Sequence, residues 1–425
     1  VGFSGQMHGL VLLDGDGAVL CPAIIHCDGR AAKQKQEIIS RVGVEKLGRW
    51  VQNQVHSGFQ SLSLMWVKEN RPEIYERARH ALLPKDYLRY RLCGEFGTEP
   101  TDACSTLMFD NVRMRWSDEL IYELGIDKSL LPDCRHHPYE IAGRVTRRAA
   151  AETGLAEGTL VSFGGGDQPM QAVGNGLLLA GSSCVNLGTS GQVFVAADRP
   201  LYDPLLRTHT FCHAPADSWY VMGAVLNACL AANWFNGSVC ASDDYRSMHD
   251  GAAQVAPGCC GLIFLPYLTG ERTPLMNENA RGAFIGLTLR HDRNAMARAV
   301  LEGVAYALKD CLEIVRGLGL PVAHTLLSGG GARSALWRQI VADVLEKPMY
   351  LAETGEQAAM GAVLCAQVAA GEYRDLQEAC GAVVRYNPTP TEPNPANFSV
   401  YRENYALFRE AYPANNGLFM KMAGR

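Results

Sequence analysis

Absences narrow this chain before any motif is read. Its 14 cysteines form no CxxC pair and no metal-ligand spacing. At this length that excludes a disulfide scaffold and a structural zinc site, and it points to reduced thiols in the cytoplasm. No long run of lysine and arginine offsets the formal charge of -5, so no face is marked for neutralising a phosphate backbone and nucleic acid is not an expected partner. No apolar stretch approaches the length of a membrane span, because runs such as Leu10 to Leu13 soon meet charge or glycine. Neither GxxxxGK[ST] nor GxGxxG occurs, which disfavours the P-loop and dinucleotide-binding folds.

What is present reads as an α/β protein. The 425 residues, 48% hydrophobic and 20% charged, exceed what one hydrophobic core usually organises, so two domains are expected. Short apolar strands at Thr159 to Phe163, Cys184 to Leu187 and Thr325 to Ser328 each run into a glycine-rich loop. The second of these continues through Gly188 to Gly191 into Gln192 to Ala197, the pattern of a strand, tight turn and strand. Apolar residues at helical spacing predict a helix over Asn294 to Arg316, with Asp292 as its cap. A second is predicted over Ser334 to Glu346, stopped by Lys347-Pro348. Small residues from Gly174 to Ser182 suggest the boundary, giving domains 1–176 and 177–412 and a loosely held tail, 413–425. Val1 to Gly5 looks like a buried strand already under way, so the first domain is expected to be incomplete at its N-terminus, with an exposed strand edge.

Phosphoryl transfer needs phosphates cradled, a metal held and a carboxylate to accept a hydroxyl proton. Asp167 suits the last task, since it follows Gly164-Gly165-Gly166 at a strand end where a ligand could approach the backbone closely. A turn aspartate bonding its own backbone is an equally good reading of the residue alone. Gly188-Thr189-Ser190-Gly191 offers amides and two hydroxyls to a phosphate, or is an ordinary hairpin turn. Gly329-Gly330-Gly331-Ala332-Arg333 before a helix could admit a flat ring. Gln6-Met7-His8-Gly9 places an amide and an imidazole where a polyol could be read. Asp28-Gly29-Arg30 and Glu271-Arg272 read as surface ion pairs, and Lys85-Asp86-Tyr87 is ambiguous. His209 and His213 have the spacing of a helical metal pair, but their segment reads as extended.

In chain order, Gly5 to Gly9, Asp28 to Arg30, Leu83 to Tyr87, Gly164 to Asp167, Leu187 to Gly191, Phe264 to Pro274 and Gly329 to Arg333 resemble the FGGY family of carbohydrate kinases. The resemblance covers nearly the whole chain and is closest to the family's xylulose-phosphorylating members. It implies a two-domain actin-like (ribonuclease H-like) α/β fold, with ATP and sugar in the cleft between the domains. It makes Asp167 the general base and the carboxylate for Mg²⁺, and Met7, His8 and Gln168 the sugar contacts. Gly188, Thr189 and Ser190 would meet the ATP phosphates, and Gly329, Gly330, Gly331 and Ala332 the adenosine.

The implied reaction is ATP-dependent phosphorylation of D-xylulose to D-xylulose 5-phosphate. The alternatives are another ketose or polyol such as ribulose or glycerol, or an inactive nucleotide- and sugar-binding fragment. The family's opening Asp-x-Gly-Thr-Ser and following lysine have no equivalent here, so weak or absent turnover is expected of this chain. Asn227 falls in a segment that is usually small and apolar in the xylulose-specific members. The expected partners are a small sugar and ATP, with no nucleic acid and no membrane, a homodimer being left open.

Overall fold

The computed structural model describes residues 1–134 and 136–423. The chain forms two compact units. The first comprises Val1–Ala180, Ala196–Val221 and Thr354–Arg385; the second comprises Gly181–Val195, Met222–Glu353 and Tyr386–Arg425. A single break after residue 176 therefore does not describe the division. The chain leaves the first unit after Ala180 and returns to it twice. Two strands, Gly191–Ala197 and Trp219–Val225, carry it between the units.

In the first unit the strand Ser4–Gly5 pairs in parallel with Gly165–Gly166, in the register Ser4 to Gly165. Val11–Leu13 and His80–Leu82 form an antiparallel pair. The late return, Thr354–Arg385, is explained by one packing contact. Helices Asp167–Gly174 and Gln357–Ala369 meet through glycine: a Cβ on Gly361 would stand 1.9 Å from the Met170 carbonyl oxygen, and one on Gly174 would stand 1.8 Å from that of Gln357. Backbone thus lies against backbone, closer than any side chain allows. Met170, Val173, Leu364, Cys365, Leu376 and Ala379 fill the core around this contact.

The second unit is built on a sheet in the order Trp219–Val225, Gly191–Ala197, Ser183–Leu187, Thr325–Ser328. Ser183–Leu187 is antiparallel to Gly191–Ala197, with Leu187 opposite Gly191, and parallel to Thr325–Ser328. Both helices read from apolar periodicity are here. Arg293–Gly317 is capped by the Asp292 side chain, which accepts from the Ala295 amide, and Ala335–Leu345 is capped by Ser334, which accepts from the Trp337 amide.

The last residues are not a loose tail. The helix Phe398–Ala423 runs through Pro413, and Phe419 is buried. Aromatic residues hold it down: Tyr267 meets Phe408 at 6.2 Å and Tyr412 at 5.6 Å between ring centroids. Gly424 and Arg425 of the expected tail lie outside the described residues.

Replacing Gly361 by valine should force the two helices of the first unit apart, lowering stability by about 1–3 kcal/mol. Gly381, whose Cβ would meet nothing within 4 Å, should tolerate alanine without loss. Thermal unfolding of the two variants tests the contrast.

Candidate active site

A buried ionic cluster sits under the candidate base. Lys85 lies in the first turn of the helix Pro84–Cys93, with no side-chain exposure. Its ammonium stands 2.9 Å from Asp86 Oδ1, 3.3 Å from Glu99 Oε1 and 3.7 Å from Asp102 Oδ2. Arg89 adds a second cation, 3.0 Å from Asp86 Oδ1. Burial alone would lower the Lys85 pKa, but Asp86, Glu99 and Asp102 outweigh it and hold the ammonium above its usual range. Three carboxyls face two cations. Burial, opposed by Lys85 and reinforced by Asp86, Glu99 and Asp167, pushes Asp102 well above the usual carboxylate range.

The cluster reaches the surface through hydrogen bonds. Thr101 Oγ1 donates its hydrogen to Glu99 Oε1 at 2.9 Å and accepts the Gly166 amide at 3.2 Å. The Ser105 hydroxyl donates to the Asp102 carbonyl at 2.6 Å and accepts the His8 amide at 3.1 Å. The turn before Asp167 and the backbone of His8 are therefore anchored to one charged core.

Asp167 opens the helix Asp167–Gly174, where its carboxylate meets the positive end of the helix dipole and accepts the Gln168 amide at 2.8 Å. Burial raises its pKa, opposed by that amide and by the charge of His26. The glycines before it are required by close approach. A Cβ on Gly166 would stand 2.7 Å from Met7 Cγ, and one on Gly165 would stand 2.8 Å from Thr101 Oγ1.

Met7, His8, Asp167 and Gln168 thus share one neighbourhood of the first unit. His8 has a φ of 75°, a strained conformation for a residue with a side chain. Its Nδ1–H donates to the Ser105 carbonyl at 2.7 Å, which makes Nε2 the acceptor in the neutral ring. Phe59 meets the imidazole edge-on at 4.6 Å.

Sequence reasoning missed Glu99, Thr101 and Asp102, although Pro100 one residue into a helix after an acidic cap was a readable signal. It also missed His26, whose Nδ1 donates to Gln6 Oε1 at 2.9 Å.

The remaining candidates gather in the second unit. The Gly188 carbonyl accepts the Cys229 amide at 2.9 Å, and the Thr189 carbonyl accepts those of Ala228 and Leu230, both at 3.1 Å. These bonds fix the turn of Gly188, Thr189 and Ser190 and leave Thr189 exposed. Gly329, at a φ of +85°, packs against the strand entering that turn; a Cβ there would stand 2.4 Å from Asn186 Oδ1. The Gly329 to Ala332 segment accordingly lies beside the Gly188 turn. Next to Gly330 the space is open, and it belongs to a pocket of about 800 Å³ whose lining includes Tyr245, His249, Gly331 and Trp337. A side chain at Gly330 would extend into that space.

Two surface ion pairs were expected, and only one exists. Asp28 and Arg30 pair at 2.7 Å in partial exposure. Glu271 is instead buried: its Oε1 accepts the amides of Leu226 and Arg272, both at 2.7 Å, and its Oε2 has no hydrogen-bond partner. Burial, opposed by those two amides, raises its pKa to about 8. Asn227 is also buried, spanning the Gly270 carbonyl and the Thr269 hydroxyl. His209 lies in the extended strand His209–Cys212, with His213 just past its end. Among the described residues no three His, Cys, Asp or Glu side chains gather as a metal cage. A Mg²⁺ ion that keeps most of its waters and is shared with phosphate oxygens needs no cage, and Asp167 is a suitable single carboxylate.

Residues 1–174 match the family model described as FGGY family of carbohydrate kinases, N-terminal domain, and residues 184–370 match that of the C-terminal domain. The xylulose kinase of Escherichia coli K12 is 35% identical over 417 residues, covering 97% of this chain and 84% of that protein. The xylulose kinase of Bacillus subtilis is 34% identical over 413 residues, covering 97% and 82%. The crystal structure of a xyloylose kinase from Brucella ovis superposes with a TM-score of 0.92 at 35% identity, over 98% of this chain and 85% of that one.

Replacing Lys85 by methionine leaves buried carboxylates without their cation and is expected to cost about 3–5 kcal/mol in urea unfolding. Glu271 gives a pH signature. Its folded-state pKa of about 8 lies above the ordinary glutamate value of 4.5, so the folded chain holds a proton that the unfolded chain releases. Its contribution is full below about pH 4.5 and is lost as pH rises through about 8. The Glu271→Gln variant should flatten the fall in stability across that window, measured by denaturant midpoints from pH 4 to 9.

Proposed function

The chain belongs to the FGGY family of carbohydrate kinases, and on that premise we propose that it transfers the γ-phosphate of MgATP to the 5-hydroxyl of D-xylulose. Its fold is the family's two-domain actin-like fold. The observation that carries the reading is the grouping of Met7, His8, Asp167 and Gln168 around the Gly164 to Gly166 turn. The choice of sugar is supported by the two xylulose kinases that share 34–35% of their residues with the chain.

The roles follow from the chemistry of the groups. Asp167 takes the proton of the attacking hydroxyl. Partial burial raises its basicity, and the helix N-terminus keeps the carboxylate ionised for the task. His8 Nε2, an acceptor in the neutral ring, receives a sugar hydroxyl, and the Gln168 amide offers its carbonyl as acceptor and its NH₂ as donor to another. The Thr189 hydroxyl and the amides of its turn hold the terminal phosphate, and the Gly329 to Ala332 segment borders the adenosine in the adjoining pocket. Asp167 would hold a Mg²⁺ ion, which when bound would supply positive charge to the phosphates. The residues for sugar and base lie in the first unit and those for nucleotide in the second.

We also place the enzyme in the cytoplasm, a reading supported by its 14 cysteines all being free thiols. Among the described residues no helix is long and apolar enough to cross a membrane.

Coupled ADP release with D-xylulose, ATP and Mg²⁺ tests the proposal. Asp167→Asn should lower kcat by about 10²–10⁴-fold, the usual worth of a positioned base. Turnover indifferent to that substitution would remove Asp167 from the mechanism. A higher kcat/KM with ribulose or glycerol would reassign the sugar.

A further inference from the structure

On the helical wall of the second unit's pocket, His249 is a polar side chain already held by a hydrogen bond. The helix Tyr245–Ala253 turns Tyr245, His249 and Ala253 toward the cavity, since residues four apart share a face. Across from them stand Gly330, Gly331 and the start of the helix Ala335–Leu345. Arg246 and Asp250 also line the pocket but are exposed. His249 differs: it is half-buried, and its Nδ1 lies 2.9 Å from the Ser334 hydroxyl oxygen.

The hydrogen-bond bookkeeping at Ser334 determines which way the imidazole faces chemically. Ser334 Oγ already accepts the Trp337 amide at 3.2 Å, as the cap of the helix. Its own hydrogen can be donated to His249 Nδ1 at 2.9 Å, in the tautomer whose proton sits on Nε2. Burial lowers the His249 pKa, which favours the neutral ring with one proton. In that tautomer the serine holds Nδ1 and Nε2–H is the donor. The result is a rigid N–H donor on the pocket wall, set among the apolar and aromatic surfaces of Tyr245, Leu336 and Trp337.

We propose that His249 reads the base of the bound nucleotide, its Nε2–H donating to a ring nitrogen of a purine. The proposal rests on the assignment of this pocket to ATP made above. A purine presents unprotonated ring nitrogens at its edge and two flat faces, which suits one fixed donor in an apolar slot beside the open Gly330. Because Ser334 orders the ring before the ligand arrives, little side-chain freedom is lost on binding, and a single hydrogen bond retains most of its worth. Ser334 acts through His249 and is a positioning residue for the base.

The test is calorimetric titration of ADP onto the full chain, which needs no turnover. His249→Ala should weaken ADP binding by roughly five- to tenfold, the loss of one well-made hydrogen bond. His249→Gln, whose amide N–H can take the place of Nε2–H, should recover most of the affinity. Affinity for D-xylulose should be unchanged in both variants. Wild type and His249→Ala binding ADP equally would overturn the role of His249 while leaving the pocket assigned to nucleotide. Equal weakening in the alanine and glutamine variants would also overturn it, by tracing the effect to packing. Failure of the wild type to bind ADP would overturn the nucleotide assignment and the base reader together.

Discussion

A lysine ammonium without solvent is the constraint on which the first unit depends. Lys85 can stay charged in the interior only because Asp86, Glu99 and Asp102 surround it. Those carboxyls cannot be moved independently, since each is held by the same nitrogen. The segment that supplies two of them also supplies Thr101 to Gly166 and Ser105 to His8. The positions of the base and of the sugar-facing imidazole are consequences of keeping one cation satisfied. Packing of apolar side chains alone would leave both free to shift by the tolerance of a rotamer.

The second unit reaches its precision by a different route. Its turns are placed by absent side chains: Gly329 against Asn186 and Leu187, and Gly331 against Leu187 and Trp337. Where the backbone needs nearness the glycine is crowded, and where a ligand needs room, at Gly330, it is not. The same residue type thus serves two opposite purposes within three positions. Only the surroundings distinguish them.

Much of this was legible in the sequence where the signal is local. The strand leading to Gly164, the tight turn at Gly188 and the cap Asp292 depend on neighbours a few residues away. The site residues could be named for the same reason, each lying at a strand end beside glycine. What escaped depends on partners distant along the chain. Lys85-Asp86 looks like any charged pair until Glu99 and Asp102 fold onto it. Glu271 looks like a surface acid until the amides of Leu226 and Arg272 enclose it. Pro413 looks like the end of order until Phe408 and Tyr412 of the same helix meet Tyr267. The domain division failed as a single cut because Gly361 meets Met170 across 191 residues of chain, the difference between the two numbers.

That last contact bears on how the protein is made. A ribosome extends a chain by about 5–20 residues per second, so the stretch from Ala180 to Leu376 takes on the order of ten to forty seconds to emerge. Throughout that interval the helix beginning at Asp167 lacks the partner against which its glycine and Met170 are shaped. The second unit waits as well, because its segment Tyr386–Arg425 follows the first unit's last segment, Thr354–Arg385. Vectorial synthesis therefore leaves neither unit complete until the segments after Glu353 have emerged. It also makes the nascent first unit the natural client of whatever shields hydrophobic surface at the ribosomal exit.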